Sequence, residues 1–169
     1  MMCALLVLLW TSLGAAQQLP YKVDGRAVWA VKPSGTTSVS THLKGSEVEI
    51  SVHTWQVPLQ PAVRAALGPY PECTDARCGI TDQIQVKLAG KPLWVGSYQI
   101  AGLGDVHYLA LTGSPARLDL ILIGSDAADS YEAHLIFSGG RVVERVLYSG
   151  IDLSHPFEVS HYYYYADIN

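Results

Sequence analysis

Residues 117–123 (RLDLILI) carry Leu or Ile at five of their seven positions, so both faces of a strand formed by them would be largely apolar. Strands with two apolar faces usually lie in the middle of a sheet that is covered on both sides. A buried helix is the rival interpretation, but the run is short and ends at Gly124. We therefore predict a central β-strand here, with the other strands arranged around it.

Two strand-like runs, residues 131–138 and 141–148, are separated only by Gly139 and Gly140. Paired glycines favour a tight hairpin turn, because both central residues can adopt positive φ. The sequence therefore predicts a β-hairpin, with one mostly apolar face that would also hold Glu144 opposite Leu135.

The other face of this hairpin is predicted to be mixed. The expected pairing places Glu132 beside Leu147 and His134 beside Arg145. Such a face is either solvated or a binding surface, and the solvated face is the more common case. Glu132, His134 and Arg145 are therefore candidate binding residues.

Short alternating segments continue along most of the remaining chain, as in residues 36–43 and 47–57. Alternation with period two, rich in Val and Thr, is typical of strands. Helical signals are limited to residues 62–67 and to one turn within 97–104. About nine or ten short strands with little helix predict a single antiparallel β-sandwich over residues 17–169, with a β-barrel as the alternative.

The first sixteen residues resemble a secretory signal peptide. Residues 3–10 form an apolar core, and the small residues Gly14, Ala15 and Ala16 follow it. The apolar run is too short to span a bilayer, and we expect cleavage after Ala16. The chain is therefore predicted to be periplasmic or secreted, without a transmembrane segment.

Cysteine content agrees with an exported protein. Cleavage of the leader would remove Cys3 and leave Cys73 and Cys78. An even pair of cysteines in an oxidising compartment predicts a disulfide, here closing a small loop after a proline-rich segment. Charge excludes one class of partner: eleven basic against fifteen acidic residues argue against nucleic acid.

The segment 124–132 is rich in carboxylates. Asp126, Asp129 and Glu132 lie within seven residues, and His134 follows. Hard cations such as calcium prefer oxygen ligands, and an imidazole would suit zinc. The spacing matches no calcium loop, however, and Asp and Ser also occur in turns because they hydrogen-bond their own backbone. Asp126 and Asp129 are candidate metal ligands, with turn formation as the alternative.

Four consecutive tyrosines occupy residues 162–165. In a strand, Tyr162 and Tyr164 would share one face, and exposed tyrosines are favoured contacts for proteins and for stacking on sugars. An edge strand shielded by its rings is the alternative. Tyr162 and Tyr164 are therefore candidate binding residues.

Catalytic signatures such as a G-x-S-x-G elbow, a Walker loop or a dinucleotide fingerprint do not occur in the sequence. We therefore favour an exported, non-enzymatic β-sandwich without a cofactor that binds an envelope protein, an incoming hydrolase or a glycan. The alternative hypothesis is a small metal- or carboxylate-dependent hydrolase that uses residues 124–132.

Overall fold

The computed structural model describes residues 21–23, 26–58, 60–62, 77–125 and 130–164. Strands dominate these residues, and a helical turn, α1 (Ser97–Ile100), lies between the strand that ends at Leu93 and the strand that begins at Val106. No helix among them is long and apolar enough to cross a membrane. The described strands are β1 (Tyr21–Val23), β2 (Arg26–Ala30), β3 (Gly35–Leu43), β4 (Ser46–Pro58), β5 (Arg77–Leu88), β6 (Lys91–Leu93), β7 (Val106–Ser114), β8 (Arg117–Gly124), β9 (Tyr131–Ser138), β10 (Arg141–Ser149) and β11 (Asp152–His161).

These strands form two antiparallel sheets that pack face to face. The larger sheet has the order β1-β2-β7-β8-β9-β10-β11, and the smaller one has the order β3-β4-β5-β6. Their inner faces supply one hydrophobic cluster, to which both sheets contribute. The predicted all-β sandwich is therefore confirmed, because each sheet buries one apolar face against the other.

Strand β8 is the fourth of seven in the larger sheet, as its apolar sequence predicts. Leu118, Leu120 and Leu122 point into the core between the sheets and are almost completely buried. Ile121 on the opposite face is also buried, with Val28 and Ala110, in a second small cluster. Both faces of β8 are thus covered, which is why nearly every position can be apolar.

The hairpin β9–β10 turns at Gly139 and Gly140, whose φ values are +59° and +83°, as predicted. Its register departs from the prediction, because the pairing shifts between Val142 and Glu144. The shift is a β-bulge, in which one extra residue on β10 moves every later side chain to the other face.

The bulge makes the predicted pairing of His134 with Arg145 wrong. Arg145 lies opposite Leu135 on the inner face, and His134 lies opposite Val146 on the outer face. The physical reason lies in Glu144 and Leu147, which exchange faces when the register shifts. The shift carries Glu144 out of the core to a half-buried position and brings Leu147 into it, which buries an apolar side chain worth about 1.5–3 kcal/mol.

After β6 the chain leaves the smaller sheet and crosses to the larger one. The Trp94 amide donates to the carbonyl of Gly140 at 2.8 Å, and the Val142 amide donates to the carbonyl of Trp94 at 3.2 Å. The chain then forms α1 and returns to β5, where the Thr81 amide donates to the carbonyl of Leu103 at 3.1 Å. This crossing segment lies at the side of the sandwich between β5 and β10.

Candidate functional site

The five predicted binding residues form two separate groups in the structure. Arg145, Tyr162 and Tyr164 lie around α1, at the side of the sandwich. Glu132 and His134 lie on the outer face of the larger sheet. The first group forms or supports an exposed surface, and the second belongs to a charged network that is largely buried.

Four aromatic side chains meet around α1, and we call them the aromatic patch: Trp94, Tyr98, Tyr162 and Tyr164. The ring centroids of Trp94 and Tyr164 are 5.6 Å apart in an edge-to-face arrangement, and those of Tyr98 and Tyr162 are 5.4 Å apart. The centroids of Trp94 and Tyr98 are 5.9 Å apart. Edge-to-face contacts hold each ring in one orientation, so the patch is a preformed surface.

Much of this patch is open to solvent. The Trp94 and Tyr98 side chains are 48% and 52% exposed, whereas Tyr162 packs partly on the core. The predicted strand does not include the tyrosines, because β11 ends at His161, but Tyr162 and Tyr164 are half-buried and Tyr163 between them is exposed, as the predicted alternation requires. Tyr165 lies outside the described residues. The guanidinium of Arg141 lies 4.2 Å from the ring centre of Tyr164, a cation–π contact at the rim of the patch.

Gln99 holds the patch in place from the protein interior. Its side chain is completely buried, and Oε1 accepts a hydrogen bond from the Gly96 amide at 2.6 Å. Its Nε2 donates to the Tyr164 hydroxyl oxygen at 2.9 Å, and that hydroxyl donates to the carbonyl of Val142 at 2.5 Å. The glutamine therefore joins α1, the C-terminal tyrosines and β10 through one buried hydrogen-bond network.

Arg145 supports the same helical turn. Its Nη1 donates to the carbonyl of Ala101 at 2.8 Å, and its Nε lies 3.5 Å from a carboxylate oxygen of Glu158. Carbonyls at the end of a helical turn lack helical partners, so a buried cation beside them is favourable. Arg145 is therefore a positioning residue for the patch, although it does not reach its surface.

Gly96 lies between the two exposed rings. A Cβ atom added there would come within 2.7 Å of Trp94 Cη2 and 2.8 Å of Tyr98 Cε1. Real Cβ contacts are longer than this, so glycine is required for the rings to approach as they do. The sequence signal for this part of the patch is the aromatic–glycine–aromatic spacing of residues 94–98, which the sequence analysis missed.

A groove of about 670 Å³ begins at Trp94 and follows the edge of β5. One wall is the β5 segment 82–87, and the other contains Pro92, Trp94 and Ser97. The groove exists because the chain leaves β5 after Leu93 to cross to the larger sheet. Sheet edges and grooves of this kind expose backbone and side-chain groups that can bind a partner.

Glu132 lies at the centre of the second group, the charged network on the outer face. Its carboxylate accepts two hydrogen bonds from the Arg26 guanidinium, at 2.6 and 2.8 Å. Nε2 of His134 lies 3.5 Å from Glu132 Oε2, and Nδ1 of His134 lies 2.9 Å from Asp119 Oδ2. Arg26 and Asp119 were not predicted as members of this network. Arg26 lies 106 residues from Glu132 in the sequence, and Asp119 meets His134 only through the pairing of β8 with β9.

The network shifts the pKa values of its members. The hydrogen bond from Arg26 lowers the pKa of Glu132 and outweighs the opposing effect of burial. Burial lowers the pKa of His134, but the hydrogen bonds and charges of Asp119 and Glu132 outweigh it, so that the pKa rises above 6.5. Alternating charges thus favour an ionised carboxylate and a protonated imidazole next to each other.

The predicted metal ligands Asp126 and Asp129 lie outside the described residues, so a site in segment 124–132 stays a prediction. Among the residues that the structure describes, no group of three His, Cys, Asp or Glu side chains could hold a metal ion. Cys73 also lies outside them, and Cys78 is buried at the start of β5. The disulfide therefore stays a prediction as well, as does the signal peptide at residues 1–16.

Comparison with protein-family models, with curated proteins and with solved structures gave no match to this chain. Functional assignment therefore depends on the geometry of the described residues alone.

Proposed function

We propose that this chain is an exported, non-enzymatic binding module that recognises another macromolecule, a protein or a glycan, with its aromatic patch. The observation that carries the proposal is the exposure of Trp94 and Tyr98 on a rigid, buried support. Exposed aromatic side chains of this size are enriched at the centres of binding surfaces.

The aromatic patch is also held rigidly. The rings of the patch are held by mutual edge-to-face contacts and by the hydrogen bonds of Gln99. A surface that is already ordered loses little conformational entropy on binding, so more of the contact energy contributes to affinity. Rings that served only to cover the sheet edge would be expected to be largely buried, whereas about half of the surface of Trp94 and of Tyr98 is exposed.

The test is capture of a partner from an envelope or secretion fraction by the immobilised mature chain. We expect the double variant Trp94→Ala, Tyr98→Ala to capture at most about one tenth of the partner that the wild type captures, because central aromatic residues dominate binding energies. The matched control is Trp55→Ala, since Trp55 is 45% exposed but lies on β4, outside the patch. Equal capture by the double variant and the control would contradict the proposal.

The hydrolase alternative would use Asp126, Asp129, Glu132 and His134. The last two side chains already contact Arg26 and Asp119, so a metal ion would compete with existing ion pairs. Its test is a thermal melt of the mature chain with EDTA, calcium or zinc. A bound metal would raise stability by roughly 2.7 kcal/mol at a hundredfold excess over its dissociation constant.

A further inference from the structure

The edge of β5 is open beside the aromatic patch. Strand β6 pairs with β5 only at residues 86–88, and the next contact along that edge is the bridge between Ile80 and Gly104. Between them, residues 82–85 border the groove that ends at Trp94. This opening is about 13 Å long, at roughly 3.3 Å per strand residue.

The wall of this groove holds one cationic and one anionic side chain, Lys87 and Asp82, and each already has a partner. Lys87 Nζ lies 2.9 Å from Glu49 Oε2, and Asp82 Oδ1 lies 2.6 Å from His53 Nδ1. The wall therefore carries little net charge, and it offers no field that would select an ionic ligand. An uncharged polar ligand is the matching partner.

Hydrogen-bonding groups line the same wall. The side chains of Gln83 and Gln85 are exposed and lie two residues apart on one face of β5. No hydrogen bond joins either amide group to another side chain in the part of the chain that the structure describes. Each amide offers both donors and an acceptor, which is the set that hydroxyl groups require.

The opposite wall carries an exposed aromatic ring and a proline. The exposed indole of Trp94 borders the groove, and Pro92 continues the same wall toward β6. The negative face of an aromatic ring attracts the polarised C–H groups of a sugar ring, which lie on one face of a pyranose. A sugar therefore fits between an apolar wall that stacks and a polar wall that hydrogen-bonds.

We propose that this groove binds a neutral carbohydrate chain, with Trp94 stacking on one sugar ring and Gln83 and Gln85 hydrogen-bonding its hydroxyl groups. The proposal rests on the binding function above and names the class of its partner. A peptide strand fits less well, because the open edge spans only four residues and is interrupted by a bulge opposite His53 and Thr54. Few ladder hydrogen bonds could form there.

The experiment is isothermal titration calorimetry of the full mature chain with four neutral oligosaccharides, hexamers of β-1,4-linked glucose, xylose and N-acetylglucosamine and of α-1,4-linked glucose. We expect at least one of them to bind. Trp94→Ala should weaken that binding roughly tenfold or more, and Gln83→Ala with Gln85→Ala should also weaken it. Trp55→Ala should leave it unchanged, since Trp55 does not line the groove.

Any of three results would overturn the proposal. One is the absence of binding by all four oligosaccharides at millimolar concentration. Another is a displayed peptide library that yields binders sensitive to Trp94→Ala while no sugar binds, which would assign the groove to a protein. If partner capture depends on the patch but glycosidase treatment does not release the partner, the carbohydrate proposal fails and the proposed binding function remains.

Discussion

Arg26 and Glu132 are 106 residues apart in the sequence, yet they form the most complete ion pair on the outer face. Strands β7 and β8 lie between β2 and β9, so the two backbones are separated by about 14 Å at roughly 4.8 Å per strand. The two side chains must therefore cross the sheet face, over the strands that carry Ala110 and Ile121.

Removal of the Glu132 carboxylate should destabilise the folded protein. The Glu132 side chain is only 8% exposed, so Glu132→Gln leaves a charged guanidinium without its bidentate partner in a largely dry site. We expect a loss of about 2 kcal/mol in the free energy of unfolding, measured by urea denaturation at neutral pH.

The matched control is Glu144→Gln. Glu144 also pairs with an arginine, Arg117, but that arginine is 59% exposed. An exposed pair contributes less than about 1 kcal/mol, so the control should lose little stability. Equal losses in the two variants would show that burial does not strengthen the Arg26–Glu132 pair.

Stability should depend on pH through the same network. The raised pKa of His134 means that its stabilising contribution is full below pH 6.5 and is lost as the pH rises through that raised pKa. The lowered pKa of Glu132 means that its contribution is present above pH 4.5 and is lost as the pH falls through that lowered pKa. Between pH 4.5 and pH 6.5, both His134 and Glu132 therefore stabilise the folded state.

Denaturation of the wild type and of His134→Gln over a range of pH measures how the contribution of His134 to stability changes with pH. We expect the difference in unfolding free energy between them to narrow as the pH rises above the His134 pKa. The NMR titration midpoint of the His134 ring should also lie above 6.5. A midpoint below that value would contradict the ionised network.

At the scale of elements, α1 depends on the rest of the molecule. A single helical turn is not stable by itself, because nucleation fixes several residues for one hydrogen bond. Here the turn is held by the buried side chain of Gln99 and by Arg145, which reaches it from β10. The orientation of Tyr98 therefore follows from contacts made by other elements.

Substitution Gln99→Leu tests this dependence. Leucine keeps most of the side-chain volume but leaves the buried Gly96 amide without its partner, so we expect a loss of about 2 kcal/mol by urea denaturation. Gln56→Leu, at an exposed position on β4, should change stability by less than about 0.5 kcal/mol. Equal effects of the two would show that Gln99 does not hold the turn.

At the scale of the whole molecule, the predicted disulfide would restrict the unfolded chain. A bridge between Cys73 and Cys78 would close a short loop and would stabilise the fold by about 2 kcal/mol in the chain-entropy model. Cys73→Ala is the appropriate variant, since it keeps the buried Cys78 in place. We expect it to lose that amount in urea denaturation, relative to the oxidised wild type.

The control for this prediction is the wild type after reduction, whose free energy of unfolding should equal that of Cys73→Ala. Alkylation of the unfolded, unreduced wild type should leave both cysteines unmodified. Modification of Cys73 and Cys78 without a reducing agent would contradict the disulfide.

Much of the fold was predictable from local patterns. The apolar run of β8, the alternation of β3 and β4, and the turn at Gly139 and Gly140 were each identified from neighbouring residues. The candidate site was predicted only in part. Tyr162, Tyr164 and Arg145 do lie near one another, but Trp94 and Tyr98 were missed, since nothing local marks where the chain crosses between sheets.

The sequence by itself determined that this chain is an all-β protein and which strand is central, because strand formation follows from periodicity and from turn residues that act over a few positions. Tertiary structure alone decided which side chains of β10 point into the core and which residues form the aromatic patch. The bulge after Val142 depends on burial of Leu147 against the whole core, and the patch depends on a crossing that joins two sheets. Such choices are made by packing between distant segments, which no local pattern records.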